Sequence, residues 1–514
     1  MKKIVLMTLA LMMAVCFVVP GNVLAQRYGG ELNIAIGTDP EMIDPIRATS
    51  SPAAMVMVHI METLFDYTVD GEIVPLLARD YDVSDDGLVW DLFLREGIEF
   101  HDGTPFNAEA VKYNLERMLD PANEAVYAFL IDEISEIEVL DEYTVRIKTG
   151  EPFAPIMAHL SHNFLSMVSP TAAEKYGDDF NENPVGTGPF TFESWTRGEK
   201  LSVVKNEDYW GDNAYLDRVN FLIVPEDATR VVMLETGEAD AIMRVPPRDV
   251  ERLGDRANTE VLSVPSVRTI YIGFNCQKEP FTDPRVRQAI NYGVHNQAIT
   301  DHILGGAGRP SDAPISPGLF GYSPQERYDF NPEKAKALLA EAGFEDGLKA
   351  TLHHPVGRYL MDEVVAQAVQ SQLTEIGVEL ELITMEWATY LEATGKRYDE
   401  AEQELYMLGW GCVTGDADYG LYSMFHSTQW RPDGPGRSYY KNERVDELLQ
   451  RARVTADEDL RADLYAESIE LIWEDAPWLF LHSESQLNGY NTRVQGLIHH
   501  PLEFISANEA WIEN

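Results

Sequence analysis

Strand-like and helix-like segments alternate along nearly the whole of this chain, and that alternation restricts it to layered α/β architectures. Runs rich in β-branched and aromatic residues, bounded by turn residues, predict strands at 31–36, 201–204, 219–224 and 269–274. Asn107 caps a helical segment in which Val111, Leu115, Met118 and Leu119 recur at helical spacing. Asn331-Pro332-Glu333 supplies a cap, a first-turn proline and an early acid, and Gly343 stops the helix that follows. Residues 360–376 read as a helix closed by Gly377, leading directly into a strand at 378–383. A last long helix at 458–474 precedes Pro477. No internal repeat, low-complexity tract or Gly/Ser linker interrupts the pattern, so domains are joined through ordered segments.

The first residues read as an address. Lys2 and Lys3 precede an apolar run from 4 to 19, Pro20-Gly21 breaks it, and Val23-Leu24-Ala25 suits signal peptidase. We therefore expect a signal peptide cleaved after Ala25 and a periplasmic protein. Cys16 makes a poor lipoprotein site because bulky Val15 precedes it. Cleavage leaves 489 of 514 residues, enough for two or three domains, and takes two lysines from a chain of net charge −45. A charge so negative repels phosphate backbones and anionic lipid, which argues against nucleic-acid or membrane-surface partners. No later run is long and apolar enough to span a bilayer. Cys276 and Cys412 remain, and an oxidising compartment would permit one bridge between them.

Four phrases carry a resemblance. They are Leu94-Arg-Glu-Gly-Ile-Glu-Phe-His-Asp-Gly-Thr-Pro-Phe-Asn-Ala-Glu-Ala-Val111, Pro184-Val-Gly-Thr-Gly-Pro-Phe190 with Trp195 and Asn206-Glu-Asp-Tyr-Trp-Gly211, Leu234-Glu-Thr-Gly-Glu-Ala-Asp240, and Phe281-Thr-Asp-Pro-Arg-Val-Arg-Gln-Ala-Ile290. In this order and spacing the chain resembles the family 5 extracellular solute-binding proteins, which include receptors for oligopeptides, dipeptides, nickel chelates, haem and glutathione. Read on their own chemistry, the phrases are mostly structural. The glycines of 184–190 suit a tight crossing between lobes, His101 sits beside the turn signal Asp102-Gly103, and Asp283-Pro284 opens a helix.

The resemblance implies an α/β, two-lobed periplasmic-binding-protein fold (type II, cluster C) with an extra domain inserted in the N-terminal lobe. Carried over, lobe I is 26–47, 186–268 and 486–514, the insertion is 48–185, and lobe II is 269–485, with crossings near Arg268 and at 482–485. It implies a monomeric receptor that closes on a short peptide or peptide-like solute and delivers it to ABC permease subunits and their ATPase.

The stretch Leu408-Gly-Trp-Gly-Cys-Val-Thr-Gly-Asp-Ala-Asp-Tyr419 is the most informative for ligand chemistry. Peptide-binding relatives place an aspartate for the α-ammonium three residues after the tryptophan; here that position is Val413, which offers no counter-charge. The following Thr414-Gly-Asp-Ala-Asp418 resembles the glutathione-type members. Asp416 and Asp418 are candidates for an amine, with Asp418 also placed to cap a helix beginning near Tyr419. Arg358, between a turn signal and a helix, is the candidate for a ligand carboxylate, and Arg268 at the proposed crossing is a second. Trp410, Tyr419 and Tyr271 are expected to supply apolar walls, and Thr38 with Asp39 to lie where the first lobe meets its insertion.

Other chemistries find less support. His353-His354 and His499-His500 are adjacent pairs whose side chains point to opposite faces of a strand, a poor metal grip. No residue stands out as a haem ligand, and no cofactor is expected. A receptor for a nickel chelate, haem or another non-peptide solute is the alternative. A hydrolase ranks below it, since no nucleophile elbow, zinc-protease or phosphate-loop motif occurs.

Overall fold

A computed structural model describes residues 28–432 and 434–513; the side chain of Ala388 lies outside that description, as does the expected signal peptide. Eleven strands form one large sheet. From edge to edge they run Val378–Met385, Leu348–Pro355, Leu405–Gly411, Thr259–Phe274, Trp478–Asn491, Ala241–Ile242, Glu31–Ile36, Arg218–Ile223, Lys200–Lys205 and Phe190–Thr196, with Gly308–Pro310 paired beside Trp478–Asn491. Glu31–Ile36 pairs in parallel with both neighbours, and Leu348–Pro355 does the same in the other half. Helices cover these parallel strands, as such pairing requires.

Two strands belong to both halves. Thr259–Phe274 has 16 residues and Trp478–Asn491 has 14, against about five or six in an ordinary strand. They pair antiparallel as Pro265 with Ser485 and then as Thr269 with Ser483, so Ser266, Val267 and Arg268 bulge opposite the single residue Glu484. On one side of this bulge the pair is flanked by Ala241–Ile242, on the other by Leu405–Gly411. The sheet thus narrows to a waist between two lobes, and a bulge at a waist is a natural place for bending and for re-aimed side chains.

Residues between the first strand and Phe190 build a second sheet in the order Ala78–Val83, Val89–Leu94, Thr144–Thr149, Ile134–Asp141. The Ala108–Leu119 helix packs on it, buries Val111, Leu115 and Met118, and is capped by Asn107, whose side chain accepts from the Ala110 amide at 3.1 Å. Asn331 and Asp283 likewise cap the helices the sequence predicts after them. The 184–190 glycines serve a different closeness from the expected lobe crossing. A Cβ at Gly186 would lie 2.3 Å from the Ile60 carbonyl oxygen, and one at Gly188 would lie 2.6 Å from that of His59. His101 clips this run, its Nε2 lying 2.9 Å from the Gly188 carbonyl, which gives it the structural role its neighbours suggest.

Burial of histidine sets the acid response. Burial lowers His59, His159, His482, His499 and His500 to about 4, and His162 to about 3. The unfolded chain protonates these imidazoles below about pH 6.5 while the folded chain resists, so stability falls between about pH 6.5 and 4. Asp418 acts oppositely: burial pushes it up to about 6, and its protonation as pH falls through that value favours the fold. Burial also raises Glu62, Asp66, Asp132 and Glu484, and the histidines that burial lowers, which include His101, His353 and His426, outnumber these acids. The melting temperature is expected to drop between about pH 7 and about pH 5; a flat profile would mean these rings take up protons without unfolding.

Candidate functional site

The waist concentrates charge. Arg268, aimed by the bulge, donates from Nε and Nη2 to the two oxygens of Glu503 at 2.7 and 2.9 Å. Ser266 and Ser51 hydroxyls donate to the same carboxylate at 3.0 and 3.2 Å. Burial alone would raise Glu503, yet Arg268, the charge of Arg244 and the Ser266 hydroxyl bring it down to about 2. Glu484, across the bulge, lies 3.7 Å from Arg268 Nε; burial and the charge of Glu503 raise its proton affinity. Arg268 therefore ties the waist to the C-terminal segment, and its fork is not free for a ligand as the sequence reading allowed.

Arg358 differs. Its loop turns at Gly357, which has φ +74°, and is drawn tight by Asp362, whose carboxylate accepts from the backbone amides of Gly357, Arg358 and Tyr359 at 3.2, 2.8 and 3.1 Å. The guanidinium stands over the rings of Tyr359 and Trp387, 5.2 and 5.0 Å from their centres. Among the described residues no carboxylate ion-pairs with it. Burial and the nearby cations Arg268 and Arg244 lower its pKa, the mark of a positive charge short of a partner. Arg244, exposed just after the Ala241–Ile242 strand, holds a left-handed backbone with φ +57°. Such a conformation costs a non-glycine residue about 1 kcal/mol or more and is characteristic of functional sites.

Aromatic rings form the adjoining wall. Trp410 stacks on Tyr419 at 5.1 Å, with its Nε1 donating to the Tyr419 carbonyl, and Tyr419 stacks on Phe129 at 6.1 Å. Tyr419 joins the apolar core of the 46–167 region although it lies far along the chain, on the Ala417–Phe425 helix. Val413 packs at the same junction. Tyr271 does not: it is wholly buried, stacked on Trp478 at 3.4 Å, and belongs to the core.

The two acids after Trp410 are occupied. Asp416 is buried and receives both terminal nitrogens of Arg461 at 2.7 Å each, while it caps the Ala417–Phe425 helix through the Asp418 amide. Asp416 is thereby committed to Arg461 rather than open to the amine expected of it, and the cap assigned to Asp418 falls to Asp416. Asp418 faces Arg453 Nε at 3.3 Å and His159 Nε2 at 3.8 Å. Thr38 is exposed at the end of the first strand, whereas Asp39 accepts from Trp195 Nε1 and the Gly198 amide. Cys276 and Cys412 are both buried free thiols, so no bridge joins them. Among the described residues no three His, Cys, Asp or Glu side chains gather as a metal site, and no helix is long and apolar enough to cross a membrane. A 440 Å³ recess lined by Thr104, Asn107, Lys112, Tyr113 and Glu116 contains none of the candidate residues.

Arg244, Glu484, Glu503 and Trp387 escaped the sequence reading. None sits in a motif; only their convergence at the waist marks them. Two lobes sharing a bulged strand pair, with an unpaired guanidinium and aromatic rings at the junction, define a protein built to close on a small solute. The model of the bacterial extracellular solute-binding proteins, family 5, matches residues 72–432, and the chain belongs to that family. The glutathione-binding protein GsiB of Salmonella typhimurium is 33% identical over 465 residues, which is 90% of this chain and 91% of that protein. The ABC transporter-associated periplasmic binding protein DppA from Helicobacter pylori, solved with the peptide STSA, is 31% identical with a TM-score of 0.81, covering 95% of this chain and 99% of that one. A dipeptide-binding protein from Pseudoalteromonas sp. SM9913, solved with Met-Leu, is 25% identical with a TM-score of 0.82, covering 94% and 100%.

Proposed function

We propose that this chain is the solute-binding component of an ABC importer, a monomeric periplasmic receptor that captures a short peptide or peptide-like solute between its lobes and hands it to the permease. It performs no reaction. The observation that carries the ligand class is Arg358: a largely buried guanidinium, fixed by its loop, backed by two rings and lacking a carboxylate of its own. A ligand carboxylate completes it with two parallel hydrogen bonds. The similarity to glutathione-binding proteins supports a glutathione-type solute. The division into 26–47, 186–268 and 486–514, an insertion at 48–185, and 269–485 is supported by the waist at the bulge, with Thr38 at the rim of the first lobe.

A thermal-shift screen of the mature chain, refolded to strip carried-over ligand, tests this reading. Ligand at about 100 times its Kd adds about 2.7 kcal/mol of stability, a readable rise in melting temperature. Glutathione or short peptides are expected to give it. A rise only with a nickel–histidine chelate or haem would move the chain to the alternative, and turnover of any probe would overturn the non-catalytic reading.

A further inference from the structure

Two carboxylates share the waist, and they are treated unequally. Glu503 receives four hydrogen bonds, two from Arg268 and one each from Ser266 and Ser51. Glu484, its side chain only 17% exposed, receives none among the described residues. Its sole ion-pairing neighbour, Arg268 Nε, is 3.7 Å away and already donates to Glu503 at 2.7 Å. The cause is the bulge: three residues on one strand face Glu484 alone, and they swing the guanidinium fork toward Glu503. A mostly buried carboxylate without donors is costly unless something arrives to compensate it.

The other acids that could meet a cation at this junction are already committed. Asp416 is closed by Arg461, Asp418 lies against Arg453, and position 413 is a valine. Glu484 is in electrostatic contact with Arg358 and Arg244, for neither of which a carboxylate lies within ion-pair distance among the described residues. The waist therefore holds a carboxylate that accepts no hydrogen bond among the described residues, beside two guanidiniums that no carboxylate clasps.

We propose that Glu484 receives the amino group of the ligand while Arg358 and Arg244 receive its carboxylates, so that the solute is a peptide-like molecule with one amine and more than one carboxylate. This rests on the receptor reading above and deepens it. Loss of an aspartate at 413 then does not abolish recognition of an ammonium; it moves that recognition from the loop after Trp410 to the strand shared by both lobes.

Calorimetric titration of the mature chain with reduced glutathione and with N-acetylglutathione, in the wild type and in Glu484→Gln, decides it. The wild type is expected to bind glutathione about tenfold or more tightly than its N-acetyl form. Glu484→Gln should lose about tenfold or more toward glutathione and stay within about threefold toward N-acetylglutathione, which also reports an intact site. If the wild type binds both probes equally, or Glu484→Gln preserves the wild-type ratio between them, the inference falls and the receptor reading stands. If the wild type binds neither probe, the glutathione-type reading falls and takes the inference with it.

Discussion

Arg461→Ala is expected to destabilise the protein by about 3–5 kcal/mol, the usual cost of removing one partner from a buried ion pair. Both oxygens of Asp416 are held by Arg461 at 2.7 Å, and the two side chains are only 4% and 7% exposed. Arg461 also donates to the Tyr465 hydroxyl at 2.9 Å. Without it the aspartate is left charged and unpaired in the core. Asp416→Ala should be at least as harmful, because it strands the guanidinium and also removes the cap of the Ala417–Phe425 helix, itself worth about 1 kcal/mol. Urea denaturation gives the measurement, with an unchanged slope certifying that stability alone has moved. A loss under about 1 kcal/mol would mean that Asp416 is not committed to Arg461 and is free for a ligand after all.

Arg358→Ala should show the opposite profile. Among the described residues no carboxylate lies within ion-pair distance of its guanidinium, and its electrostatic contact with Glu484 is longer-range, so stability should change little beyond the cation–π contacts with Tyr359 and Trp387, each about 0.5–1 kcal/mol. Affinity for a carboxylate-bearing ligand should fall by about 2 kcal/mol or more, roughly thirtyfold in Kd, because the pair it forms is desolvated. Arg358→Lys keeps the charge without the fork and is expected to fall between the two. Titration of each variant against the ligand found by the thermal screen gives the answer. Unchanged affinity in Arg358→Ala would remove this residue from the site.

The contrast between these two arginines shows how far sequence reaches. Local signals were legible: Asn107, Asn331 and Asp283 cap where they stand, since a cap bonds an amide two or three residues away. The helix before Gly377 and the strand after it appear within two residues of their expected bounds at every edge. The loop before a helix that carries Arg358 was legible because it is built by its neighbours, with Asp362 only four residues on. The family was visible because its phrases are contiguous.

What failed were judgements about Asp416, Tyr271 and Arg268, each of which depended on a distant partner. Asp416 reads equally as cap or ligand until Arg461, 45 residues later, closes on it. Tyr271 looks like a wall until Trp478 covers it, and Arg268 looks free until Glu503, 235 residues away, takes its fork. The sequence by itself determined the helices and strands it named, the α/β layering, the family and the loop that carries Arg358. Only the tertiary structure decided which charges are already paired and which remain open. An isolated side chain carries its charge in the sequence, but whether that charge is compensated depends on groups brought within about 4 Å by folding.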